Sequence, residues 1–415
     1  ENKYLTFSTS NHGQPPLLKK PSSAVVKTHN NSEKKPAKPH GKHSKEKKVK
    51  ILHLADVHID EKKTVNGKII YDEEGINIRL KDLLDCISQV KNTAEKENVS
   101  LTLIAGDLFE RKTPTPFETY TATKVLSELG SICPVVLIPG NHDAVDSIKA
   151  LGFIKNIYVP EPFTPIRFSD ITIFCVPYPD LKEGSRSEVK QLYERKILET
   201  SKKLKENSNF LVALCHAPVE GASYPTTDRD VNEVTLSPSC FKHLDYAALG
   251  HIHKPQRIEN IYYPGSVDTW RRQEADEEKG FYIIDTDTHE VTFYPITTRP
   301  VHNLNFTIDT IPLVINVLEQ SIVRIEIEVP EERAGDYDPV RVQNVIAGNP
   351  LDVKIIPLII RTQRMRCQEI VQAKNFDEII TTYMKNKKLP EEKINRIREK
   401  IMELVREKEL EAKLC

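Results

Sequence analysis

Five apolar runs constrain this chain more than any other feature, because each is the length of one buried strand and each ends on a potential metal ligand. They are "ILHLADVHID" (residues 51–60), "LTLIAGDLFE" (101–110), "PVVLIPGNHD" (134–143), "FLVALCHAP" (210–218) and "YAALGHIH" (246–253). In the first, Ile51, Leu52, Leu54 and Ala55 make the apolar stretch, and Asp56 and His58 stand where it breaks. Helical patterns fill the gaps. In "INIRLKDLLDCISQVKNTAEKE" (76–97), Leu80, Leu83, Leu84, Ile87, Val90 and Ala94 recur on one face. A second helix is predicted from Phe117 to Leu129, with Pro116 suited to its first turn. A third, from Ser187 to Glu206, leads into the run at 210. With a further strand at "ITIFCVP" (171–177), this alternation predicts a layered α/β domain whose reactive groups sit in loops at strand ends.

The residue types at those ends point to a metal. Asp56, His58, Asp107, Asn141, His216, His251 and His253 offer oxygen and imidazole donors without cysteine, which suits Mn²⁺, Mg²⁺, Fe²⁺ or Zn²⁺. Each motif is weak alone, since a histidine beside a strand is usually a satisfied core or surface residue. Seven such residues in order exceed the needs of one structural site. They match two ions about 3.5–4 Å apart that share one carboxylate.

Composition narrows the setting. The 415 residues allow two or three packed units. The cysteines (86, 133, 175, 215, 240, 367 and 415) are scattered with no C-x-x-C, which argues for a reducing compartment and against structural zinc. No apolar run reaches the roughly 18–20 residues of a membrane span, and residues 1–30 lack the apolar core of a secretory signal. The net charge of −1 hides an asymmetry: residues 1–50 carry twelve lysines against Glu1, Glu33 and Glu46, which leaves the rest near −10. Any nucleic acid is therefore handled by local patches and bound metal rather than by a basic body.

The chain reads as four regions. Residues 1–49 form a lysine-rich tail without hydrophobic period, expected to be disordered. Its eight lysines from Lys34 to Lys50 suit either a phosphate-seeking arm or a plain solvated tail. Residues 50–297 form the α/β domain. Residues 298–361 form a small α/β unit, with strands at "SIVRIEIEVPEE" (321–332), alternating at Val323, Ile325, Ile327 and Val329, and at "LDVKIIPLIIR" (351–361). Residues 362–415 are charged and helical. Phe376, Ile379, Ile380 and Tyr383 mark one helix, and Pro390 begins another with Ile394, Ile397, Ile401, Leu404 and Val405 on one stripe.

The ordered set D-x-H, G-D, G-N-H-D, H and G-H-x-H resembles the calcineurin-like metallophosphoesterases. The flanking stretches "GDLFERKTPTP", "CHAPVEGA", "DYAALGHIHKPQ", "YYPGSVD", "EADEEKGFYIID" and "TTRPV" are similar to DNA double-strand-break repair nucleases of the SbcD type and their archaeal and eukaryotic counterparts. The likeness covers residues 50 to about 300, weakens to about 360, and rests on architecture beyond. It implies a layered metallophosphoesterase β-sandwich flanked by helices, a small α/β capping domain for DNA, and a C-terminal helix-loop-helix. It implies that Asp56, His58 and His253 hold one ion, that Asn141, His216 and His251 hold another, and that Asp107 bridges them, with manganese the first choice of metal. The implied reaction is hydrolysis of a DNA phosphodiester, as exonuclease and endonuclease, in double-strand-break repair and recombination. His142 then serves as general acid or charge stabiliser, oriented by Asp143.

The implied partners are DNA and an SbcC-like coiled-coil ATPase of the SMC type, in a heterotetramer containing two copies of this chain. No membrane is implied, and the setting is cytoplasmic and nucleoid-associated if the source is prokaryotic. One departure stands out: Glu110 occupies a position where archaeal and eukaryotic relatives often carry a second histidine. That leaves open a second acid at that place, and how far exonuclease behaviour carries over.

Two other functions compete. One is a stand-alone phosphatase or cyclic-nucleotide phosphodiesterase on the same metal site. The other is a non-catalytic scaffold bridging DNA ends and an ATPase, which has no need to keep so many costly polar groups converging. Of the remaining histidines, His53 reads as core, and His243, His289 and His302 lie outside any motif. Trp270 and Tyr263 suit either stacking in a substrate groove or ordinary packing.

Overall fold

The apolar runs form strands whose C-terminal ends gather in one place. The computed structural model describes residues 5–7, 49–224, 233–361, 376–387 and 389–414. In chain order, the first elements are β1 (Leu5–Phe7), β2 (Lys50–Leu54), α1 (Ile78–Lys96), β3 (Leu101–Ala105), α2 (Pro116–Ile132), β4 (Val135–Ile138) and α3 (Val145–Leu151). There follow β5 (Ile157–Tyr158), β6 (Pro165–Phe168), β7 (Ile171–Val176), α4 (Arg186–Lys205), β8 (Phe210–His216) and β9 (Tyr246–Gly250). Then come β10 (Gln256–Ile258), β11 (Ile261–Tyr263), β12 (Lys279–Asp285) and β13 (Val291–Ile296).

Local chemistry sets the helix starts. Asn77 accepts from the amide of Arg79 at the head of α1. Thr115 with Glu118, and Ser185 with Glu188, make reciprocal capping boxes for α2 and α4, and Pro116 fills the first turn of α2.

Two sheets result. One has the order β13-β12-β2-β3-β4-β5, the other β1-β6-β7-β8-β9-β11-β10. At the centre of the first, β2, β3 and β4 run parallel, and β7, β8 and β9 do the same in the second. Such strands are covered on both faces and read as continuous apolar runs. Ile51, Leu103, Val136, Ile173, Val212 and Tyr246 fill the space between the sheets. The outer face of the first sheet buries Leu52, Leu54 and Leu137 with α1 residues such as Leu83 and Val90. The outer face of the second buries Phe174, Leu211 and Ala213 with Val189, Tyr193 and Ile197 of α4. The fold is thus α/β, a two-sheet sandwich with helices on its outer faces.

Several strands fell outside the sequence reading. β12 and β13 form an antiparallel pair against β2, and β10 and β11 form a hairpin turned at Glu259, whose φ is 53°. Leu5–Phe7, inside the tail expected to lack structure, pairs in parallel with β6. The lysine arm from Lys34 to Lys48 lies outside the described residues.

The chain divides into two units: Glu1–Asn303 with Leu318–Val323 and Asn349–Asp352, and Leu304–Val317 with Arg324–Gly348 and Val353–Cys415. The remaining elements are β14 (Val301–Thr307), β15 (Ile315–Asn316), β16 (Ile322–Pro330), α5 (Pro339–Asn344), β17 (Ile346–Ala347), β18 (Asp352–Ile360), α6 (Phe376–Asn386) and α7 (Glu391–Leu414). Strands β14, β16 and β18 make a sheet in that order, and β15 pairs with β17. Val323, Ile325, Ile327 and Val329 are all buried, as their alternation predicts. In the helical pair, Met384 of α6 and Ile394 of α7 are buried, and Arg398 meets Asp377 as an ion pair. The stretch 362–375 and the side chains of Phe376, Leu404 and Val405 lie outside the described residues.

Candidate metal centre

Six of the seven ligand candidates follow parallel strands and His216 ends one, and four take a backbone conformation rare for side-chain-bearing residues. φ is 52° at Asp56, 51° at His58, 51° at Asp107 and 98° at His251. Asp, Asn and His tolerate positive φ best, yet each instance costs about 1–3 kcal/mol and persists only where the surroundings enforce it. Here they turn the chain sharply enough to aim successive side chains at one point. Glycine supplies the clearance: a Cβ on Gly140 would collide with the Asp107 carboxylate.

The four imidazoles share one arrangement. His216 places Nδ1 2.8 Å from the carbonyl of Ala105, an atom that only accepts, so Nδ1 carries a proton and Nε2 is turned inward. That Nε2 faces Asn141 Oδ1 at 2.9 Å and Asp107 Oδ2 at 3.3 Å. His251 presents Nε2 to Glu233 at 3.1 Å and turns Nδ1 to the same Asn141 Oδ1 at 2.9 Å. His253 presents Nδ1 to Glu274 at 2.8 Å, leaving its Nε2 3.0 Å from Nε2 of His58. His58 in turn has Nδ1 2.9 Å from Glu110 Oε2, an ion-pair distance at an angle too poor for a full hydrogen bond.

The outer nitrogens of His216, His251 and His253 thus face acceptors, and the inner nitrogens of the four rings face one another or the oxygens of Asp107 and Asn141. An electron-rich cluster of this kind suits a proton or a cation. Asp56, His58 and His253 bring donor atoms within 4.8 Å of one another, as do Asp56, Asp107 and His216. The donor set fits divalent ions, and outer carboxylates that fix each imidazole are the usual support of such centres.

The carboxylates are tuned by the same neighbours. Burial pushes Asp107 upward, but His216 beside it, then His58 and His142, hold it well below the usual range. Conversely, burial lowers His216, but Asp107 outweighs this and lifts it to about 9. Asp107 Oδ1 accepts the amide of His142 at 2.9 Å, and Asp56 accepts that of His251 at 3.0 Å.

His142 and Asp143 differ from expectation in one respect. The sequence reading has Asp143 orient His142. Instead, Asp143 accepts three backbone amides, from Phe109 at 2.9 Å, Gly140 at 2.9 Å and Leu108 at 3.1 Å, and so ties the loop after β3 to the loop after β4. His142 Nδ1 donates to the carbonyl of Glu110 at 2.7 Å. The reason is reach: a carboxylate already turned toward three amides of a tight loop has no oxygen for the adjacent ring. His58, Glu110 and His142 also lie close together, with the Nδ1 of His142 held by that carbonyl.

Trp270 and Tyr263 resolve toward packing. The Trp270 ring stacks on His58 at 5.0 Å between centroids and has Lys63 Nζ 4.1 Å over it, so two partners already occupy it. Tyr263 is fully buried and donates to the carbonyl of Ala217 at 2.9 Å. His53 is core, bonded to Tyr246 Oη at 2.8 Å, and burial pushes its pKa down to about 3. Sequence reasoning missed Glu233 and Glu274 altogether. Each is one acidic residue in a charged stretch, and only the quoted "EADEEKG" contained any signal.

Residues 49–255 match the calcineurin-like phosphoesterases, and the chain belongs to that family of metal-dependent phosphoester hydrolases. Within it, the motif-based likeness to SbcD-type nucleases is supported by a curated relative. Over 279 residues the chain is 26% identical to the SbcD component of the nuclease SbcCD from Staphylococcus epidermidis, a match covering 62% of this chain and 71% of that protein. Two solved structures are also similar. GAP50, the anchor in the inner membrane complex of Plasmodium, matches with a TM-score of 0.39 and 12% identity, over 61% of this chain and 89% of that one. A dimetal phosphatase from Danio rerio matches with a TM-score of 0.39 and 10% identity, over 60% and 96%. Among the described residues, no helix is long and apolar enough to cross a membrane.

Proposed function

We propose that this chain is a two-metal DNA nuclease of the SbcD type, hydrolysing phosphodiesters during double-strand-break repair. The observation that carries the reading is the inward convergence of His58, His216, His251 and His253 with Asp56, Asp107 and Asn141, in a chain similar along 62% of its length to a component of a curated SbcCD nuclease. Asp56, His58 and His253 would hold the first ion and Asn141, His216 and His251 the second, with Asp107 shared between them. Bound Mn²⁺ ions supply Lewis-acid activation of water and neutralise charge on the phosphate.

The chain's own contribution is positional. Asp107 is kept ionised, the imidazoles are locked in one tautomer, and His142 is pinned through Nδ1 so that Nε2 is the nitrogen able to exchange a proton with a leaving oxygen. The proposal extends to an SbcC-like ATPase docked on residues 362–415, to a pair of these chains in the assembly, and to a cytoplasmic setting. It rests there on the family likeness and on the amphipathic α6 and α7, where Ile379 and Tyr383 are exposed.

A Mn²⁺-dependent cleavage assay on linear DNA and on a small aryl phosphodiester tests the reading. DNA should be cut by far the faster, with activity lost on chelation. Efficient turnover of the aryl ester with inert DNA would favour the stand-alone phosphodiesterase, and an inert chain that still binds DNA would favour the scaffold.

A further inference from the structure

Resting on the two-ion reading, we propose that the segment from Trp270 to Lys279 sets the strength of the first ion's site alone, with Glu274 as positioning residue for His253 and Trp270 for His58.

Glu274 is fully buried, a poor place for a carboxylate unless each oxygen is answered. Its two oxygens divide the work. Oε2 takes the scaffold: Lys279 Nζ at 2.7 Å, the amide of Trp270 at 2.9 Å and Ser266 Oγ at 3.2 Å. Oε1 is left for one partner, His253 Nδ1 at 2.8 Å. Burial raises this carboxyl, but the bond from His253 and the charge of Lys279 overcome it and hold it far below the usual range.

Lys279, itself buried, also donates to the carbonyl of His253 at 3.2 Å, so that residue is gripped by both backbone and ring. The same Oε2 that anchors the backbone of Trp270 thereby fixes the indole stacked on His58. Lys63, bonded to Asp268 at 2.9 Å, sits over the indole and holds it from another direction.

Two of the three ligands assigned to the first ion are thus supported from one short stretch. The ligands assigned to the second ion take their support elsewhere: His216 from the carbonyl of Ala105, and His251 from Glu233. Separate supports make the two affinities separately adjustable, which a site built on one shared network would not allow.

The test is a titration of the metal-free full chain with MnCl₂ alone, followed by calorimetry and by intrinsic fluorescence. Trp270 is the only tryptophan in the sequence, so the fluorescence signal comes from a ring stacked on a ligand of the first ion. Glu274→Gln leaves the buried Lys279 with Glu277, at 3.3 Å, as its one remaining carboxylate partner among the described residues, so Glu274→Gln with Lys279→Met is the variant of choice, and Trp270→Phe is a second. In the double variant the first-ion event should weaken about 10–100-fold. The second-ion event should change less than about threefold, and the fluorescence midpoint should move with the first. Trp270→Phe, read by calorimetry, should also weaken the first event selectively. Unchanged affinities, or equal weakening of both events, would overturn the inference while leaving the two-ion reading intact. A wild-type chain that takes up no Mn²⁺ would remove both.

Discussion

The backbone carbonyl of Glu110 accepts the Nδ1–H of His142 at 2.7 Å. Because a main-chain atom provides this anchor, the ring keeps its tautomer whatever the Glu110 side chain does. His142→Ala should therefore leave manganese content at two ions per chain, by elemental analysis, while turnover falls about 10²–10⁴-fold. Asp107→Ala is the contrasting case, since its Oδ2 faces both His216 and His58. That variant should retain fewer than two ions. Loss of metal from the His142 variant would assign His142 to coordination instead.

Gly140→Ala replaces no ligand, yet by crowding one it should disable the centre. The new methyl would fall within 2.7 Å of both the Asp107 amide and its carboxyl carbon. Overpacking of this kind typically costs about 1–3 kcal/mol, and here the strain falls on the residue shared by the two ions. Manganese affinity and unfolding midpoint should drop together. A variant with wild-type metal binding would show that the loop after β4 can yield.

His53 gives the fold a pH dependence of known sign. Its folded pKa, about 3, lies below its ordinary value of 6.5, so the unfolded chain binds the extra proton between those limits. Stability is then fully present above about pH 6.5 and is lost as pH falls toward 3, by up to about 1.4 kcal/mol per pH unit. In urea unfolding followed from pH 6 to pH 4, His53→Gln should be less steep than wild type by about that amount. Parallel slopes would mean that His53 is protonated in the folded protein.

The docking stripe needs one adjustment from its sequence form. Ile394 is buried within the described structure, whereas Ile397 and Ile401 are only half-buried. Replacing Ile397 and Ile401 with aspartate should abolish co-purification of an SbcC-like ATPase and spare Mn²⁺-dependent cleavage of short DNA by the isolated chain. Retained ATPase binding would place the docking surface elsewhere.

The legible part of this protein was whatever local pattern encodes. Runs such as Leu101–Ala105 and Phe210–His216 announce strands because parallel strands in a two-sheet sandwich are apolar on both faces, and the ligands announce themselves by interrupting them. The helix starts at Thr115 and Ser185 were equally local. What escaped notice depends on distance through space. Glu274 is 21 residues from the histidine it holds, and nothing near it in sequence separates it from the other acidic residues of its stretch. Asp143 was visible as part of "PGNHD", but its work of binding the amides of Leu108 and Phe109 belongs to a loop 34 and 35 residues away. The strand β12 was overlooked because its partner, β2, lies more than two hundred residues earlier in the chain.

That His216, at the end of β8, donates across to Ala105 of β3 has a consequence for lifetime as well as geometry. Ligands from both sheets converge there, so ions bound at this edge rivet one sheet to the other. Stripped of metal, the edge should be where the sandwich first breathes, with amides of the loops after β2, β3 and β8 exchanging with solvent ahead of the strand centres. Loaded at about a hundred times the dissociation constant, the same edge gains about 2.7 kcal/mol of resistance to unfolding.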